Sequence, residues 1–114
     1  MMVVWIVMKG VVMSTIKGKN INHPNHTENL NSEKYAIIRE AILHVLPLGS
    51  SMSFEDLETD VEAYIAEKQV PKEMFPKPGS IRWYCKAVQL DLEARNEVER
   101  LPRQSPLRLR KVRT

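Results

Sequence analysis

The chain changes its period once in its second half, and that change constrains the fold more than any other feature. From Ser80 to Arg95 the apolar residues recur at helical spacing: Trp83, Ala87, Leu90 and Ala94 fall on one line, and Tyr84, Val88 and Leu92 widen it. From Glu97 to Leu101, and again from Leu107 to Val112, apolar and charged residues alternate with period two, as in strands with one buried face. Pro102-Arg103-Gln104-Ser105-Pro106 lies between them, a length and composition suited to a hairpin loop. Asn96 stands at the junction, where a helix closes on a left-handed residue that is usually Gly and sometimes Asn. A helix leading directly into a β-hairpin is therefore expected, with Ser80 as N-cap.

Two further helices precede it. Over Glu33–Leu46, Tyr35, Ile38, Ile42 and Val45 make one apolar face, broadened by Ile37, Ala41 and Leu46. Asn31 or Ser32 supplies the N-cap oxygen, and Pro47 ends the helix by forcing Leu46 out of helical geometry. The next helix begins after Ser53, with Glu55, Asp56 and Glu58 where the dipole favours negative charge, and fades near Lys68. Phe54, Leu57, Val61 and Tyr64/Ile65 are its buried stripe. Pro71 to Gly79 reads as a turn with at most one helical turn at Lys72–Phe75, Phe75 plugging the core, and Ser51-Met52 is short enough to add a strand pairing.

The order helix, helix, helix, hairpin predicts an α+β domain of the winged helix-turn-helix type, spanning 32–112, with a two-stranded wing. Residues 13–31 are polar and rich in Asn, Lys and His, without periodicity, and read as an arm or loop. Residues 1–12 are apolar but shorter than the roughly 20 residues of a membrane-spanning helix, and lack the basic region and small-residue cleavage site of a signal peptide. A β-strand is one reading of this Val- and Ile-rich run, but the preferred one is an over-extended leader before a start at Met13, with residues 113–114 as a tail.

Composition narrows the setting. A chain of 114 residues suits one domain, and 43% apolar with 27% charged residues is globular rather than disordered. Cys85 is the lone cysteine, so no intrachain disulfide forms, which suits a reducing, cytoplasmic compartment. The net charge of +3 divides unevenly: +2 over residues 1–30, −5 over 31–75 and +6 over 76–114. A basic C-terminal part can face a polyanion or can neutralise the acidic middle within the fold.

The run Leu92-Glu93-Ala94-Arg95-Asn96-Glu97-Val98 resembles the junction of many winged-helix proteins, where the recognition helix enters the first wing strand, with Asn96 in place of the usual Gly. The longer pattern is similar to a family of small uncharacterised bacterial proteins. It comprises the His-Pro arm, Val45-Leu46-Pro47, Phe75-Pro76, Val88-Gln89-Leu90-Asp91-Leu92-Glu93-Ala94 and Pro106-Leu107-Arg108. That resemblance covers roughly Asn20 to Arg110 and implies the fold, with no established activity. Leu109 stands where an aromatic is expected after Pro-Leu-Arg.

Two functions follow as expectations. In a DNA-binding, transcription-regulatory domain, Arg82, Lys86 and Gln89 on the polar face of the third helix reach base edges or backbone, and Arg103, Arg108, Arg110 and Lys111 supply phosphate contacts from the wing. Glu93, Asp91, Glu97 and Glu99 oppose that reading, since each lies near the same surface. The alternative is a protein-interaction module, an adaptor or a homodimer, with the acidic face of the second helix (Glu55, Asp56, Glu58, Asp60, Glu62, Glu67) as a docking surface. No enzyme is expected: Cys85 has no sequence-local histidine, His44 is a boundary residue of the first helix, and no glycine-rich phosphate loop is present. His23 and His26 fall short of the ligand set a zinc site needs, so no metal, cofactor, small-molecule substrate or membrane partner is expected.

Overall fold

The computed structural model describes residues 6–8, 11–13, 15–23, 25 and 27–112. His26, the tail at 113–114 and most of the leader at 1–12 lie outside the described residues. Among the described residues the chain is α+β, with three α-helices and small antiparallel sheets. Helix α1 spans Ser32–Val45. Asn31 Oδ1 accepts hydrogen bonds from the backbone N–H groups of Glu33 and Lys34 at 3.0 Å each, satisfying two donors that the first turn leaves open. Its last turn gives way at Leu46, extended at φ −69°, ψ 126° before Pro47.

Helix α2 spans Phe54–Glu67, and Ser53 Oγ accepts from Asp56 N–H at 3.1 Å. It closes on Gln69 in left-handed geometry (φ 56°), with the Val70 N–H donating back to the Ile65 carbonyl. Lys72–Met74 is one 3-10 turn. Helix α3 spans Ser80–Ala94. Its N-cap is Gly79 at φ 82° rather than Ser80, and no side chain caps it; glycine suits the site because its backbone is left-handed. At the far end the expectation for Asn96 holds. It has φ 62°, its N–H donates to the Glu93 carbonyl, and Glu97 N–H donates to the Leu92 carbonyl, the paired bonds of a Schellman ending.

The strands depart from a simple helices-then-hairpin order. In chain order, β1 (Ile6–Met8) and β2 (Val11–Met13) pair with each other, as do β3 (Thr15–Lys19) and β4 (Thr27–Asn31), all before α1. After α1 comes β5 (Met52–Ser53), then α2 and α3, then β6 (Val98–Arg100) and β7 (Arg108–Lys111). The last three make one sheet ordered β5-β7-β6, with Met52 and Arg100 both opposite Leu109.

Residues 15–31, expected as an arm or loop, thus contain a hairpin. Its period-two signal is short because only Ile16 and Leu30, opposite one another, carry apolar side chains toward the body, with Gly18 beside them. Leu30 is fully buried there.

The core lies where the three helices and the β5-β7-β6 sheet converge. Tyr35, Ile38 and Ile42 of α1 meet Leu57, Val61 and Ile65 of α2 and Val88 and Leu92 of α3, and Val98 and Leu109 close it from the sheet. Phe75 packs at the margin, edge-on to Tyr84 with ring centroids 5.8 Å apart.

Candidate interaction surface on helix α3

Helix α3 buries a different face from the one its apolar line suggests. Cys85, Val88, Gln89, Asp91, Leu92 and Glu93 are buried, whereas Trp83 is 51% exposed and Ala87, Leu90 and Ala94 are half-exposed. The buried face therefore lies away from the Trp83–Ala87–Leu90–Ala94 line. Gln89 and Glu93, expected on the open polar face, point inward, and Gln89 at 0% exposure reaches no base edge.

Polar side chains decide this orientation. Asp91, fully buried, accepts hydrogen bonds from the Tyr35 hydroxyl, from the Lys19 backbone N–H at 2.8 Å and from Arg95 Nε at 2.9 Å. Arg95 also donates to the Lys17 carbonyl at 3.4 Å. One carboxylate therefore joins α1, α3 and the β3–β4 hairpin. Burial and the bond to Asp91 push the Tyr35 hydroxyl pKa well above its ordinary value. On the other flank, Glu93 accepts from Gln89 Nε2 and from Arg100 Nη2 at 2.9 Å, tying α3 to β6. Asp91 and Glu93 are held inside because each has charged and neutral donors around it. The Asp91 position, between Leu90 and Leu92 and four residues before Arg95, is the sequence signal that could have revealed this orientation.

Most of the expected DNA-contacting cations have partners within the fold. Arg82 is exposed, its Nε 2.9 Å from Glu58 Oε2 in an ion pair that lacks hydrogen-bond alignment. The Lys86 ammonium lies 4.6 Å from the centre of the Phe54 ring, and burial lowers its pKa. Arg108 donates to the Ser51 side chain and carbonyl, at 2.9 and 2.8 Å, and so buttresses β5. Arg110 pairs with Glu99 across the β6–β7 ladder at 2.6 Å. Lys111 is half-buried beside Arg110 and Glu99, and Arg103 is exposed in the loop at φ 60°. Of the expected contact residues, Gln89 is buried, and Arg110 and Lys111 lie together beside Glu99. Arg82 and Arg103 are exposed, whereas Lys86 is half-buried.

Between α3 and the hairpin lies an apolar groove. Trp83, Ala87 and Leu90 form one wall, Gly18, Lys19 and Asn20 the other, with Lys86 at the rim. Its volume is about 160 Å³. An apolar cavity of about 150 Å³ accommodates a benzene ring, so the groove has room for one bulky side chain. Trp83 packs edge-on to Tyr84 with centroids 5.2 Å apart, which braces the indole while leaving half of it open. Sequence reasoning missed this wall because a tryptophan on an apolar helical line reads as core.

Other candidate chemistry stays apart. Cys85 is fully buried and its thiol is pushed up to about 12, chiefly by burial, which makes it inert at neutral pH. His44 is exposed and stacks on Tyr64 with centroids 4.7 Å apart. Among the described residues, no three His, Cys, Asp or Glu side chains come together as a metal site, and no helix is long and apolar enough to cross a membrane.

The architecture defines an α+β domain of three helices and small antiparallel sheets with an apolar groove on α3. Residues 15–109 match the model of a family described as "Family of unknown function (DUF6958)", and the chain belongs to that family. No curated protein and no solved structure matches it.

Proposed function

We propose that residues 32–112 form a winged-helix domain acting as a protein-interaction module rather than a reader of DNA. The order α1-β5-α2-α3-β6-β7, with β7 between β5 and β6, supports the winged-helix reading. The observation that carries the functional reading is the outward face of α3. Where a DNA reader presents cations and amides, this helix presents Trp83, Ala87 and Leu90, with Gln89 and Glu93 turned inside. Exposed tryptophan on a braced site is a common anchor of protein interfaces. Helix α2, beside it, exposes Glu55, Asp56, Asp60 and Glu62, which repel phosphates.

Fluorescence anisotropy of the full chain with random-sequence duplex DNA at two salt concentrations tests this. DNA readers bind non-specifically near ~10⁻⁴–10⁻⁶ M at physiological salt and tighten as salt falls. No salt-sensitive binding is the expected result. Salt-sensitive binding weakened by the double substitution Arg82→Ala and Lys86→Ala would replace the protein-interaction reading with the DNA-binding one.

A further inference from the structure

We draw no further inference here: the strongest candidate, the apolar groove between the β3–β4 hairpin and helix α3 walled by Trp83, Ala87 and Leu90, carries none because nothing in the structure shows what covers it.

Discussion

Tyr35 on α1 donates its hydroxyl hydrogen to Asp91 on α3, and both residues are completely withdrawn from solvent. The same carboxylate accepts from a strand of the N-terminal hairpin, so one buried charge locks three elements together. Removing it leaves the Tyr35 hydroxyl, the Lys19 N–H and Arg95 to find other partners. Asp91→Ala is expected to destabilise the chain by about 2–4 kcal/mol, because the buried Tyr35 hydroxyl and the Lys19 N–H lose their partner while Arg95, 33% exposed, can turn to water. Tyr35→Phe, which removes one hydrogen bond to a charge, should cost about 1.5–3 kcal/mol. Urea denaturation midpoints measure both. Hydrogen exchange at Lys19 should accelerate in Asp91→Ala beyond what global destabilisation explains.

Glu93 and Arg100 make the corresponding link between α3 and β6. The Glu93 side chain is 3% exposed and that of Arg100 37%. Arg100→Ala strands a buried carboxylate with Gln89 as its remaining side-chain donor. A cost of about 2–3 kcal/mol is expected, below the range for a wholly buried pair because water screens the Arg100 side. Replacing both Glu93 and Arg100 by apolar residues should recover part of that loss, and a double-mutant cycle read by thermal denaturation shows whether it does.

Alkaline pH should weaken the fold through Cys85 before it acts through Tyr35. The Cys85 thiol ionises near 9 ordinarily and near 12 in the fold, because burial disfavours the thiolate. The native state thus keeps a proton that the unfolded chain releases, so this stability is complete below pH 9 and is lost as pH rises from 9 toward 12. The slope is at most about 1.4 kcal/mol per pH unit for one proton. Tyr35 adds its own loss above pH 10. Cys85→Ala should flatten urea midpoints between pH 9 and 10; an unchanged slope there rules Cys85 out as the source.

Gln69 closes α2 in left-handed geometry at φ 56°, exposed and without the freedom of glycine. Gln69→Gly should raise stability by up to about 1 kcal/mol, since left-handed geometry costs a residue with a Cβ about 1–2 kcal/mol and glycine recovers most of it. Asn96, in the same role after α3, tolerates the geometry better, so Asn96→Gly should gain less and Asn96→Val should lose. Thermal melting of the three variants orders them.

Trp83→Ala should change stability by less than about 1 kcal/mol if the indole serves the surface rather than the core. The Leu92→Ala comparison, at a fully buried position, should cost about 2–5 kcal/mol. Equal losses in the two variants would return Trp83 to the core and remove the groove's anchor.

Much of the secondary structure was legible in the sequence because its signals are local. Asn31 and Ser53 cap helices with their own side chains, Pro47 ends one by steric restriction, and Asn96 accepts left-handed geometry through its identity. The period change after Arg95 marked the β6–β7 hairpin for the same reason. Which face of α3 turns inward was not legible. Both lines of that helix are apolar enough to pack, and the choice rests on Asp91 meeting Tyr35 and Lys19, and on Glu93 meeting Arg100, partners brought close by chain folding. The β3–β4 hairpin was hidden likewise, since a buried carboxylate on α3 and two apolar side chains hold it. By itself the sequence determined helix ends and strand periods, where each residue acts on neighbours a few positions away. Only the tertiary structure decided that Trp83 faces solvent and Gln89 does not, because desolvating Asp91 and Glu93 is tolerable in one orientation of α3, the one that brings their donors within reach.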